Sequence, residues 1–142
     1  GAPAIRVTRS DAVAPQFPPE EDSGRALLVA LDTRRGDFFI QLFDGRETAP
    51  FLAGGADAAR VVPEVPLLFA GDAALRLAPF FAGRDISVAD EPERPLGEAV
   101  ARLAAAQYRP GIAMPPPRPL YLRAPDTTVP KPRRQFGQGA AR

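Results

Sequence analysis

The fold of this chain is decided by one stretch, Leu28-Val-Ala-Leu-Asp-Thr-Arg-Arg-Gly-Asp-Phe-Phe-Ile-Gln-Leu-Phe-Asp-Gly45. Residues 26–32 are almost wholly apolar, which is typical of a strand buried on both faces of a sheet. Residues 37–43 alternate and are rich in aromatic side chains, which predicts a second strand. The turn between them contains Gly36, which supplies the positive φ that a tight turn requires. The stretch therefore predicts a β-hairpin with two arginines at its tip.

The elements that follow the hairpin alternate between helices and strands. The Asp44-Gly45 turn leads to a third strand predicted at about 48–52. Further strands are predicted at 66–70 and 85–89, and helices at 56–62, 72–81 and 93–107. We expect Asp72 to cap its helix, and Pro95 to lie in the first turn of the last helix, where its missing N–H costs nothing. The predicted order is β-β-β-α-β-α-β-α.

The residues before the hairpin divide into two parts. Ala4–Thr8 alternate and predict a short strand, after which Ser10 or Asp11 is expected to cap a brief helix that stops before Pro15. Residues 17–24 combine prolines with an acidic run, which predicts a solvated linker. This change of composition marks the best candidate boundary in the chain.

Composition excludes several classes of mechanism. The 142 residues include no cysteine and no histidine, which excludes a thiol nucleophile, an imidazole base, a Ser-His-Asp triad and a zinc finger. Eighteen basic and seventeen acidic residues give a net charge of +1, which argues against a protein that coats nucleic acid. The apolar runs are too short for a membrane span of about 20 residues. We expect a soluble cytoplasmic protein without cofactor, metal site or catalytic residues.

The order of elements is typical of one subdomain of the actin-like (ASKHA, RNase H-like) fold, in which two lobes clamp a nucleotide. The predicted fold class is therefore α/β, with a mixed sheet in a single actin-like subdomain. We expect five segments: a first-lobe remnant at 1–16, a linker at 17–24, the second lobe at 25–109, a proline-rich connector with an extended C-terminal segment at 110–126, and a flexible basic tail at 127–142.

The hairpin tip is the first candidate site. In actin-like ATPases, an aspartate followed by glycines forms a phosphate loop at this position. Here Asp32 is present, but Arg34 and Arg35 replace small residues before Gly36. Bulky side chains block close approach of the backbone to a phosphate, although guanidinium groups can themselves hold an anion. A structural hairpin, a contact with a protein or RNA partner and direct phosphate binding all remain open.

A second candidate site lies at Gly71 and Asp72, where actin-like folds place a pair of glycines beside adenosine. Only one of the two glycines is present, so nucleotide binding is weakly signalled. A lone glycine before a helix is usually a turn and cap. Both interpretations stay open.

Four blocks of the sequence resemble the TsaB (YeaZ) family. They follow one another in the order that the family has, and the last block is the most specific. The blocks are Gly1-Ala-Pro-Ala-Ile-Arg-Val-Thr-Arg-Ser-Asp-Ala-Val-Ala14, Ala30-Leu-Asp-Thr-Arg-Arg-Gly-Asp-Phe-Phe-Ile-Gln-Leu-Phe-Asp44, Leu68-Phe-Ala-Gly-Asp-Ala-Ala74 and Pro119-Leu-Tyr-Leu-Arg-Ala-Pro-Asp126.

The resemblance implies an actin-like two-lobed protein that takes part in the threonylcarbamoyl modification of adenosine in tRNA (t6A). It implies a TsaD-like paralogue and a TsaE-like ATPase as partners, with tRNA met only indirectly. The family member is a non-catalytic platform, although older names for the family are glycoprotease-like and peptidase M22-like. The opening strand and the rest of the first lobe have no counterpart here, so we expect the second lobe alone, with apolar surface that favours self-association.

The expected contacts with a partner are Arg34 and Arg35 on the hairpin and Tyr121 and Arg123 in the extended segment. Two other classes of function compete with the platform. One is a nucleotide-binding or peptidase-like enzyme of the actin-like fold. The other is a free-standing interaction domain with no link to tRNA.

Overall fold

Five strands and four helices make up the part of the chain that the computed structural model describes, which is residues 4–18, 24–45, 48–90, 92 and 94–123. In chain order they are α1 (Arg9–Val13), β1 (Ala26–Asp32), β2 (Phe38–Phe43), β3 (Phe51–Ala53), α2 (Gly55–Val61), β4 (Leu67–Ala70), α3 (Ala74–Leu77), β5 (Ile86–Val88) and α4 (Leu96–Gln107). Single turns of 3-10 helix follow α1 at Ala14–Gln16 and α3 at Ala78–Phe81. The predicted α/β class and the predicted order from β1 onward are confirmed.

The strands form one open, mixed sheet in the order β3-β2-β1-β4-β5. The hairpin partners β1 and β2 are antiparallel, as are β2 and β3. In contrast, β1 is parallel to β4, and β4 is parallel to β5. Because β1 is the central strand and other layers cover both faces of the sheet around it, six of its seven residues, from Ala26 to Leu31, are buried, as the apolar run predicts.

The two faces of the sheet carry different layers. On one face, α2, α3 and the 3-10 turn after it cover a cluster that includes Leu28, Ile40 and Phe69. The rings of Phe69 and Phe81 meet edge to face there, with centroids 5.0 Å apart. On the other face, α1 places Val13 against β1 and β4, and α4 packs on the outer side of α1. None of the described helices has both the length and the apolar character that crossing a bilayer requires.

A buried hydrogen bond fixes α1 on the sheet. The hydroxyl of Ser10 donates to Oε1 of Gln41 on β2 at 2.5 Å. The amide of Gln41 in turn donates from Nε2 to the backbone oxygen of Thr48 at 3.0 Å. Ser10 and Gln41 are the two polar residues among the buried side chains of the described chain. Their bond sets the position of α1, because a buried polar atom needs its partner.

The N-terminal predictions are partly wrong. Residues 4–8 do not form the predicted strand and are not part of the five-stranded sheet. The brief helix exists, but its cap is Thr8, whose hydroxyl accepts from the backbone N–H of Asp11 at 3.1 Å. The Asp11 carboxylate accepts from the N–H of Thr8 at 2.9 Å. This reciprocal capping box explains why Ser10 and Asp11 are not themselves caps.

Three later boundaries also differ from the prediction. Strand β3 begins only at Phe51 and so is shorter than expected. Pro95 lies just before α4, at its cap position, and not in the first turn. Asp72 does not cap α3, since that position belongs to Ala73, which makes no side-chain cap bond. The predicted tail at 127–142 lies outside the described residues, as do 19–23 of the linker and 124–126 of the extended segment.

Candidate functional site

The hairpin tip contains two residues with a left-handed backbone. Gly36 has φ of +88°, as its position in the turn predicts. Arg34 has φ of +60°, which the sequence did not indicate, because side chains other than glycine seldom adopt this region. The Asp32 carboxylate compensates by accepting a hydrogen bond from the backbone N–H of Arg34 at 2.8 Å. This local bond, two residues along the chain, is the usual way in which an aspartate stabilises a turn.

A second set of bonds closes the base of the turn. The Thr33 hydroxyl donates to the backbone oxygen of Asp37 at 2.9 Å and also contacts the Asp37 carboxylate. The backbone N–H of Arg35 donates to the same hydroxyl at 3.3 Å. The Asp37 carboxylate forms an ion pair with Arg123. This pair ties the extended C-terminal segment to the hairpin, so Arg123 has an intramolecular partner.

Two aspartates meet where β1 and β4 end. Because these strands are parallel neighbours, their carboxyl ends lie at the same edge of the sheet. The backbone N–H of Asp32 donates to Oδ1 of Asp72 at 2.9 Å. Each carboxylate also holds an arginine at 2.7 Å, namely Arg76 on Asp32 and Arg9 on Asp72. We call these four residues the carboxyl-edge network; it joins α1, β1, α3 and the loop after β4.

Gly71 is required by the close approach of two backbones. Its φ is +102°, and a Cβ at this position would lie 2.3 Å from the backbone oxygen of Ala30. That oxygen accepts from the N–H of Ala73 at 3.2 Å. Since both conformation and space exclude a side chain, Gly71 has a structural role that is independent of any ligand.

The carboxylates of the turn are stabilised in their charged form. The hydrogen bond from the Arg34 N–H lowers the pKa of Asp32 below 3.8; partial desolvation opposes this effect, and the Arg76 charge adds to it. The Thr33 hydroxyl lowers the pKa of Asp37 in the same way, and Arg123 contributes further. Both groups are therefore acceptors and anions in neutral solution and are unsuited to act as general acids.

A small cavity of about 240 Å³ lies beside the carboxyl-edge network. Gly71 and Asp72 line it at one end, and Asp90 lines it after β5. Apolar side chains from three helices also line it: Val13 on α1, Leu75 on α3 and Leu96 on α4. A cavity at the carboxyl ends of parallel strands is where open α/β sheets bind ligands.

The predicted site residues thus separate into three groups. Asp32 and Asp72 are brought together, with Gly71 beside them. Gly36, with Arg34 and Arg35 exposed, forms the hairpin tip, to which Arg123 is tied through Asp37. Tyr121 forms the third group and is 81% exposed.

Sequence reasoning missed Arg9, Asp37 and Arg76. Each of the three makes an ion pair that joins elements distant in the chain. For Asp37 a local signal was available, because this residue follows Gly36 in the predicted turn, just before β2. The partners of the arginines lie more than 40 residues away in the sequence, where no local pattern reaches.

Within the described ranges, no three histidine, cysteine, aspartate or glutamate side chains are grouped as metal ligands are. Comparisons of the chain with protein-family models, with curated proteins and with solved structures found no match.

Proposed function

We propose that this chain is the second lobe of a TsaB-like protein and serves as a non-catalytic assembly subunit in t6A formation on tRNA. Its fold would be one subdomain of the actin-like type. Three strands in antiparallel succession, followed by alternating helices and parallel strands, support that proposal. The segment Pro119–Arg123, which carries the most specific block of the resemblance, lies against the hairpin that carries another block.

One observation carries the non-catalytic part of the proposal. Asp32 and Asp72 occupy the positions at which a nucleotide-clamping lobe needs free acceptors and open backbone. In this chain each carboxylate is already bound by an arginine and by a backbone N–H. An arginine with positive φ stands where a phosphate loop has glycine. These contacts favour a rigid structural edge over a site of phosphoryl transfer.

The experiment that tests the proposal is a pull-down against the TsaD-like paralogue from the same genome. Two baits are compared: this chain, and a version extended by a first lobe from that genome. Capture by either bait supports the family function. Capture by the extended bait alone places recognition in the first lobe, and capture by both places a contact on this chain. Failure of both baits to capture the paralogue overturns the proposed function.

If the fragment captures the paralogue, charge reversal at the hairpin locates the contact. Arg34→Glu and Arg35→Glu are expected to weaken capture, while Arg60→Glu on α2 is the control at an exposed site on another element. Equal capture by all three variants would move the contact away from the hairpin tip.

A second candidate function is nucleotide binding by an enzyme of the actin-like fold. The cavity beside Gly71 and Asp72 favours it, because of its place at the carboxyl ends of the parallel strands. Isothermal titration with Mg–ATP and Mg–ADP tests this candidate directly. Saturable binding that Leu75→Trp abolishes, by filling the cavity, would favour the enzyme over the platform. The absence of binding at millimolar nucleotide would eliminate this candidate for the isolated lobe.

A further inference from the structure

A groove beside the carboxyl-edge cavity, with which it shares Arg9 and Leu31, runs between the two ends of the described chain. Residues 6–9 form one wall, and residues 117–120 form the other. Leu31 and Phe39 form its floor, and its volume is about 620 Å³. We call it the arginine groove, because Arg6, Arg9 and Arg118 all line it.

The floor of the arginine groove is apolar. Leu31 and Phe39 are directly opposite each other on the antiparallel pair β1 and β2. Leu120, which is 41% exposed, adds an apolar side chain to the wall that residues 117–120 form. Side chains of alternate residues in an extended peptide would rest on such a floor, because they point to the same side.

The walls of the groove present backbone groups without protein partners. Within the described chain, no backbone hydrogen bond involves residues 4–7 or 113–122. Neither segment has regular secondary structure, and neither has a neighbouring strand on the described part of the sheet. The N–H and C=O groups of residues 4–7 are therefore open to another chain by strand addition, whereas Pro115, Pro116, Pro117 and Pro119 in the second segment have no N–H to donate.

The charge of the groove is positive and largely uncompensated. Arg9 is paired with Asp72. In contrast, Arg6 and Arg118 are exposed, and neither guanidinium has a hydrogen bond or ion pair with any described residue. The chain as a whole has a net charge of only +1. Two unpaired guanidinium groups across one groove therefore favour an occupant that carries carboxylates, which guanidinium binds bidentately.

We propose that the arginine groove binds an extended acidic peptide of a partner protein. The peptide adds as a strand along residues 4–7 and places apolar side chains against Phe39 and Leu120. Its acidic side chains meet Arg6 and Arg118. An RNA strand fits less well: Arg6 and Arg118 could meet two of its phosphates, but Arg9 is held by Asp72 and the rest of the groove lining is uncharged. The proposal does not depend on the function in t6A formation.

The test is a selection from a random library of displayed 12-residue peptides against the whole chain. A random pool of 12-nucleotide RNA is selected in parallel. Two variants are compared with the wild type: Arg6→Glu/Arg118→Glu, and the control Arg60→Glu/Arg102→Glu, which makes the same change of net charge outside the groove. Arg60 and Arg102 lie on α2 and α4 and are 77% and 68% exposed.

The expected result is enrichment of peptides in which Asp or Glu alternates with apolar residues. Their affinity should fall about tenfold or more in Arg6→Glu/Arg118→Glu, the effect expected when a charge-assisted hydrogen bond is lost, and should stay unchanged in the control. Methylation of alternate backbone nitrogens in a selected peptide should also abolish its binding, because it removes the strand hydrogen bonds.

Three outcomes would overturn the proposal. The first is that no peptide is enriched. The second is that enriched peptides bind the groove variant as well as they bind the wild type. The third is that RNA alone is retained and is lost in the groove variant, which would assign the groove to nucleic acid. Binding that survives backbone methylation would overturn strand addition as the mode of binding.

Discussion

Asp32 and Asp72 are joined by a 2.9 Å hydrogen bond from the backbone N–H of the first to the carboxylate of the second. The bond links the carboxyl ends of β1 and β4, in addition to the ladder between the strands and the hydrogen bond from the N–H of Ala73 to the oxygen of Ala30. The same carboxylate of Asp72 reaches Arg9 on α1. One side chain therefore connects both strands of the parallel pair to the helix that covers them.

Two substitutions of Asp72 measure the contributions of its contacts with Asp32 and Arg9 separately. Asp72→Asn keeps an acceptor for the Asp32 N–H and loses the charge that faces Arg9. Asp72→Ala loses both contacts and should lower the free energy of unfolding by about 0.5–1.5 kcal/mol, the usual net contribution of an intramolecular hydrogen bond. Urea unfolding followed by circular dichroism measures the difference. Equal stability of the alanine and asparagine variants would show that the hydrogen bond to Asp32 contributes nothing.

Gly71 tests the close approach of the backbones. Gly71→Ala should destabilise the fold strongly, because its Cβ would lie 2.3 Å from the oxygen of Ala30 and its φ is positive. Gly45→Ala is the matched control, since Gly45 also has positive φ but open space around it. We expect the control to lose about 1–2 kcal/mol for the left-handed backbone and Gly71→Ala to lose clearly more in the same urea titration. Similar losses would refute a steric role.

The turn carboxylates predict a dependence of stability on pH. Hydrogen bonds and neighbouring arginines lower the pKa values of Asp32 and Asp37 in the folded state. Their contribution to stability is therefore complete well above the ordinary aspartate pKa and is lost as the pH falls through the lower folded-state values. Chemical unfolding at a series of pH values below 5 should show a shallower decline for Asp32→Asn/Asp37→Asn than for the wild type. A parallel decline in both proteins would contradict the prediction.

The bond between Ser10 and Gln41 predicts coupling between α1 and the sheet. Ser10→Ala removes the donor from a buried acceptor and should lower the free energy of unfolding by about 1–3 kcal/mol. Gln41→Leu should also destabilise the fold. The double variant should lose less than the sum of the two, because both changes break one interaction. Strictly additive losses in the unfolding free energies would show that the bond contributes no coupling energy.

The ion pair between Asp37 and Arg123 predicts how firmly the C-terminal segment is held. Arg123→Gln should speed chymotryptic cleavage after Tyr121, because the segment loses its charged attachment to the hairpin. Arg109→Gln is the control, since its guanidinium contacts only backbone oxygens at the end of α4. Mass spectrometry of the early fragments identifies the cleavage site. Equal rates of cleavage in both variants would count against attachment through this pair.

Local patterns predicted most of the elements but fewer of their ends. The apolar run of β1 and the aromatic alternation of β2 were sufficient to define the hairpin, because burial on a sheet dictates those patterns. The alternation at residues 4–8 predicted a strand that does not form, since pairing depends on a neighbour that the pattern does not include. Ser10 or Asp11 was predicted as the cap of α1, but Thr8 is the cap. Several side chains within one turn can accept the hydrogen bond of a helix cap, and the pattern alone does not select one of them.

The candidate site was less predictable than the fold. Asp32 and Asp72 were both named from the sequence, but their meeting depends on the parallel pairing of β1 with β4. Arg9 and Arg76 carry no local signal, because their partners belong to other elements. Long-range ion pairs depend on the topology, because the two partners become neighbours only when the sheet and its helices have assembled.

The layering of α4 on α1 has a consequence for the order in which the molecule opens. Helix α4 meets the rest of the described chain mainly through α1, and of its residues only Ala99 is buried. Local opening that separates α1 from the sheet therefore also separates α4 from the sheet. In contrast, α4 can detach from α1 while α1 remains packed on the sheet. Amide protons of α4 should accordingly exchange with solvent at least as fast as those of α1. The outer helix is then the element that detaches first in local opening of the fold.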